Sequence, residues 1–95
     1  MYIIDGSKML NKQEAYKELK RALEAPDYMG SNLDALNDVL GETRGEIVMI
    51  HACEMLNSLK KYGLSILGVL FDATNDNPYL TFSLGMHRVK ANDEN

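Results

Sequence analysis

The run EIVMIH, Glu46–His51, decides how this chain is built. Four consecutive large apolar side chains, Ile47 to Ile50, fill a stretch of strand length, and three of them are β-branched. A near-continuous apolar run of this kind is what a strand buried on both faces of a parallel sheet carries. Parallel strands need long crossovers between them, usually helical. The flanking sequence must therefore supply helices, and beyond them further strands.

It does so on both sides. Upstream, Asn32 to Leu40 has helical periodicity with Gly41 as its stop signal, and Asn11 to Glu24 forms an earlier helix. In that earlier helix Ala15, Leu19, Ala22 and Leu23 make the apolar stripe, while Lys12, Glu14, Lys17, Glu18, Lys20 and Arg21 fill the other side. Asn11 is placed to cap it, with Glu14 completing a capping box. Tyr2 to Ile4 is a short apolar strand closed by the turn residues Asp5-Gly6-Ser7. Downstream, Cys53 to Lys61 and Leu64 to Thr74 read as two helices separated by Gly63, and Tyr79 to Leu84 (YLTFSL) is a third strand. The order is β-α-α-β-α-α-β. It predicts an α/β fold with a three-stranded parallel sheet in two layers, because so small a unit cannot cover both sheet faces. All 95 residues are expected to form one domain, with residues 91–95 (ANDEN) a disordered tail.

Bulk properties narrow the function. The net charge of −4 disfavours nucleic acid or an anionic membrane as a direct partner. No apolar run approaches the roughly 18 residues of a membrane span. Cys53 is the only cysteine, so no internal disulfide can form, and the opening MYIIDGSKMLNKQEAYKELK lacks a signal-peptide core. These features predict a cytoplasmic protein.

The charge distribution is more informative than its sum. Ala22 to Thr43 contains no lysine or arginine but carries Glu24, Asp27, Asp34, Asp38 and Glu42. A second base-free stretch, Tyr62 to His87, carries Asp72 and Asp76. On a wheel of about 100° per residue, Leu33, Leu36 and Leu40 form a dry face, and Asp34, Asn37, Asp38 and Gly41 a wet one. Asp34 has a local reason to be there, since Ser31-x-x-Asp34 reads as a capping box at a favourable helix end. Asp38 has none. It sits in the last turn, where the helix dipole disfavours an acid, and four residues from a like charge, at a cost of about 0.2–0.5 kcal/mol. Such segregation builds a negative patch that would steer a basic partner. Beside it, Tyr28 has the character of an interface anchor, although an aromatic lying on the core is the plainer explanation.

The stretch PDYMGSNLDALND, Pro26–Asp38, resembles the motif of the barstar family, Pro-acid-Tyr-Tyr-Gly-x-Asn-Leu-Asp-Ala-Leu-Trp-Asp. The likeness extends over nearly the whole chain. It implies a small parallel sheet with helices, no enzymatic activity and no cofactor. It also implies a role as an intracellular inhibitor of secreted guanyl-preferring ribonucleases. By this resemblance Asp38 is the inhibitory acid that enters the nuclease active site, and Asp34 is its neighbour one turn earlier. Tyr28 packs on the enzyme, Gly30 approaches its active site, and Asp72 aligns with a more distant family glutamate. Met29 and Asn37 depart from the motif, replacing a tyrosine and a tryptophan. Asn37 thereby removes an aromatic contact at the rim of the patch. The expected partner is a basic secreted ribonuclease or nuclease toxin, bound by a protein that is monomeric when alone.

Two other readings stay open on the residues. One is an immunity or antitoxin module of the same fold directed at another toxin. The other is a small enzyme that holds Mg²⁺ between Asp34, Asp38 and Asp72. Weaker signals carry less. His51, Cys53 and Glu54 lack the second Cys/His pair of a zinc site, with His87 the sole further imidazole. Gly41-x-x-x-Gly45 lacks the Lys-Ser/Thr of a phosphate loop. Met49, Met55 and Met86 suit core filling.

Overall fold

The apolar run Ile47–Ile50 lies in the middle strand of a three-stranded sheet. The computed structural model describes residues 1–85. Its elements are β1 (Tyr2–Asp5), a 3₁₀ turn (Gly6–Lys8), α1 (Lys12–Leu23), α2 (Leu33–Gly41), β2 (Gly45–Ile50), α3 (Ala52–Leu59), α4 (Lys61–Asp76) and β3 (Leu80–Leu84). The strands lie in the order β1-β2-β3, both pairs parallel, with Ile4 opposite Met49 and Met49 opposite Leu84. The element order and parallel sheet are those expected. Met86, His87 and the segment 91–95 lie outside the described residues.

Only one sheet face is dry, which corrects the expectation for β2. Ile47 and Met49 are fully buried, whereas Val48 and Ile50 are half-buried and Glu46 is exposed. Ile4 and Leu80 complete the dry face, while Ile3, Thr81 and Ser83 turn outward. The two helical crossovers cover a single face, so the sheet alternates as a half-covered one does. The core beneath is closed by Leu19 and Leu23 of α1, Leu36 and Leu40 of α2, Met55 of α3, and Ile66 and Leu70 of α4.

Three local readings change. Gly63 does not separate α3 from α4; the break falls at Lys60, which takes a positive φ, with φ 57° and ψ −128°. Gly63 instead lies buried in α4, where an added Cβ would meet Met55 Sδ at 2.7 Å, so its smallness lets α3 and α4 approach. Gly41 is the last residue of α2 and not the residue beyond it, and the cap that follows, Glu42, stays right-handed with φ −108°. Glu18, assigned to the solvated side of α1, is buried at 4% exposure.

Glu18 is tolerated inside because its charge is fully engaged. Its carboxylate accepts the Asp5 amide at 2.8 Å and two guanidinium bonds from Arg21, at 2.9 and 2.6 Å. Arg21 also donates to the Ile3 carbonyl at 3.2 Å, so the pair stitches α1 to β1. Burial alone would raise the Glu18 pKa, but the bonds from Arg21 and Asp5 outweigh it and hold the carboxyl below its ordinary value. The unfolded chain therefore takes up this proton at a higher pH than the folded one. The contribution is complete above the unfolded value of about 4.3 and is lost as pH falls through the folded value. Glu18→Gln is expected to cost about 1–3 kcal/mol at neutral pH and to flatten the acid limb of stability. Thermal melts between neutral and acid pH check this. An unchanged acid limb would exclude Glu18 as its source.

Candidate functional site

The acidic helix is positioned at both ends by asparagines. At its start Asn32 Oδ1 accepts the Ala35 amide at 2.8 Å, so Asn32, and not Ser31, caps α2. Asp34 is thereby relieved of capping duty and contributes to the helix only through the dipole. Asn32→Ala is expected to cost about 1 kcal/mol. Asp34→Ala should be nearly neutral, since the dipole term is offset by relief of repulsion with Asp38. Melts of the two variants at low salt check this, and equal losses would restore the capping box.

At its end α2 has no basic residue in the last turn, although cations are the usual complement there. Thr43 Oγ1 donates to the Val39 carbonyl at 2.7 Å. Asn77, the residue that ends α4, supplies the rest: its Nδ2 donates to the carbonyls of Leu40 at 2.9 Å and Thr43 at 2.8 Å, with Gly41 at 3.4 Å.

The loop before α2 and the helix enclose a groove of roughly 680 Å³ whose walls include Tyr28, Gly30, Asp38, Glu42 and Arg44. Tyr28 projects from it at 89% exposure, so the alternative of an aromatic lying on the core does not hold. Met29, which departs from the family motif, is buried beneath the same loop. It anchors the loop and leaves its neighbours Tyr28 and Gly30 at the surface. A second groove of about 540 Å³ lies between the ends of α2 and α4, and its walls include Asn37, Glu42, Arg44, Asp76 and Tyr79. Arg44 stands 4.6 Å from the centre of the Tyr79 ring and lines both grooves, where no lysine joins it.

The structure thus brings Tyr28, Gly30 and Asp38 together and turns Asn37 toward the second groove. Asp34 and Asp72 line neither, though both are exposed, each one turn before an acid that does: Asp38 and Asp76. Among the described residues no three His, Cys, Asp or Glu side chains gather where they could hold a metal ion. Asp34, Asp38 and Asp72 therefore do not form the Mg²⁺ site of the enzymatic reading. His51 and Glu54 pair at 3.2 Å beside the exposed Cys53, as a strand-end contact. No helix among the described residues is long and apolar enough to cross a membrane.

A family model described as Barstar (barnase inhibitor) matches residues 1–84, from the first strand to the end of β3. The chain belongs to the barstar family. A comparison with curated proteins gave no match. Within the barstar frame, the Pro26–Asp38 motif is the loop and helix that carry the first groove. Glu42, Arg44, Asp76 and Asn77 were missed by the sequence argument as site residues. Glu42 and Asp76 were visible there as members of base-free stretches, but only the packing of α2 beside α4 puts them on one rim.

Proposed function

We propose that this barstar-family protein is a stoichiometric inhibitor of a basic secreted ribonuclease, acting in the cytoplasm by blocking the active site and catalysing nothing itself. The observation that carries the reading is the convergence of Asp38, Gly30 and the protruding Tyr28 on one groove. A ribonuclease active site presents cations to the phosphate of RNA. A carboxylate held on a rigid helix can take the place of that phosphate through charge-assisted hydrogen bonds. Asp38 fills that role, Tyr28 packs against the rim of the enzyme, and Asp34 adds negative potential one turn away. Asp72 is exposed on α4 one turn before Asp76 and would add to the negative potential on that side.

The test is a titration of RNA cleavage by a guanyl-preferring secreted ribonuclease with increasing protein. Activity should fall linearly and reach its floor at one equivalent, as a tight stoichiometric inhibitor requires. Undiminished cleavage across a panel of such ribonucleases, with inhibition of a different nuclease toxin, would move the protein to the immunity-module reading. Asn37, where the family motif has tryptophan, is the residue that favours testing both.

A further inference from the structure

The acidic end of α2 poses a structural problem. Asp38 and Glu42 crowd the negative pole of the helix dipole, and no basic side chain stands in the last turn to offset them. Within its own segment the last carbonyls are met only by short i+3 closures, Glu42 to Val39 at 3.1 Å and Thr43 to Leu40 at 3.2 Å, beside the Thr43 hydroxyl on Val39, and an end closed in this way is prone to fray. A lysine or arginine cap would cure the fraying, but it would also cancel the charge that the surface presents. The chain uses a neutral donor instead. Asn77 is 8% exposed, and its carboxamide reaches back from α4 to the carbonyls of Leu40 and Thr43 at 2.9 and 2.8 Å. The same side chain is itself held: Oδ1 accepts the Tyr79 amide at 3.0 Å, and the Asn77 amide donates to Ala73 at 2.8 Å. Its position is therefore set by α4 and by the start of β3, not by α2. One turn beyond the Asp38 position, the chain enters the segment Glu42–Arg44 that lines both grooves.

We propose that Asn77 is the positioning residue of this surface, a neutral clamp that locks the last turn of α2 and with it the carboxylate of Asp38. The inference rests on the ribonuclease-inhibitor reading for its functional consequence, and on the clamp geometry alone for its structural one. A clamp that carries no charge predicts a particular kinetic signature. Long-range attraction is unchanged when it is removed, so encounter stays the same, while the docked carboxylate loses its fixed geometry and the complex separates faster.

Asn77→Ala is expected to raise the dissociation rate of the ribonuclease complex about tenfold or more. The association rate and its salt dependence should stay within about twofold. Amide hydrogen exchange should accelerate at residues 40–43 well beyond the rest of the chain. Ile4→Val in β1, chosen as a core variant with its own loss of melting temperature, controls for stability and should change neither local exchange in α2 nor dissociation. If Asn77→Ala fails to fold, Asn77→Ser, which keeps one donor, is measured in its place and should show the same pattern at smaller amplitude. A uniform rise in exchange with dissociation no faster than in Ile4→Val overturns the proposal, as does no change at all. If the unmutated protein binds no ribonuclease, the function reading fails; the exchange measurement still decides the clamp, local acceleration upholding it and uniform acceleration overturning it.

Discussion

Asp38→Ala is expected to weaken binding of the cognate ribonuclease by about 2–4 kcal/mol or more, roughly 30- to 1000-fold, with the melting temperature unchanged or slightly raised. The two halves of this expectation come from different physics. Asp38 is exposed, and its backbone is held by the helix and by the contacts that close its end, so the side chain supports nothing in the fold. Its removal relieves a like charge at i−4 and an unfavourable dipole contact, each worth a few tenths of a kcal/mol. In the proposed complex the same carboxylate would be desolvated against cations. Truncating it leaves those cations unpaired, which is the costly half of breaking a buried charge pair. Isothermal titration of the two proteins, paired with thermal melts, measures both halves. A variant that melts early and binds as before would make Asp38 a structural residue.

The second large effect is on association. Glu24, Asp27, Asp34, Asp38 and Glu42 share a segment that contains no base, and Asp72 and Asp76 extend the acidic surface on α4. Two oppositely charged faces attract before they touch, and this attraction is screened once the Debye length falls below the approach distance. Raising ionic strength from about 10 mM to about 0.5 M is expected to slow association by tenfold or more. Dissociation should change far less, because contacts already formed are shielded from the salt. Neutralising Asp27 or Glu42 should lower the association rate and flatten its salt slope, whereas Asp38→Ala should act mainly on dissociation. Stopped-flow measurements at two ionic strengths decide it. A salt-independent association rate would sink the phosphate-mimic mechanism while leaving the fold assignment intact.

Arg44 gives the surface its asymmetry. It is the first base after a long acidic segment, and it stacks on Tyr79 between the two grooves. Asn37, on the neighbouring face of α2, looks onto the second groove with Asp76. The departure from the family at this position therefore bears on the α4 side of the surface, away from the groove that holds Asp38 and Tyr28.

Much of the architecture was legible in the chain because its causes are local. An apolar run of strand length at Ile47–Ile50, helical periodicity on either side, and turn residues at Asp5-Gly6-Ser7 all act within a few residues, so their pattern survives in one dimension. The segregation of acids from bases and the Pro26–Asp38 motif are equally properties of the string. Tertiary structure decided what depends on residues far apart. Glu18 is buried because the Asp5 amide and Arg21 meet it there, and helical periodicity alone puts a glutamate at the surface. Gly63 reads as a breaker, yet it is a contact with Met55, and the bend falls on Lys60. Val48 and Ile50 are as apolar as their neighbours, and only the absence of a second helical layer among the described residues leaves them half-covered. Asn77 reaches a carbonyl 37 residues away, and nothing near it in the chain marks it as the cap of another helix. Propensity and periodicity record what a residue does to its own segment; a hydrogen bond between segments becomes visible only when the core has brought them together.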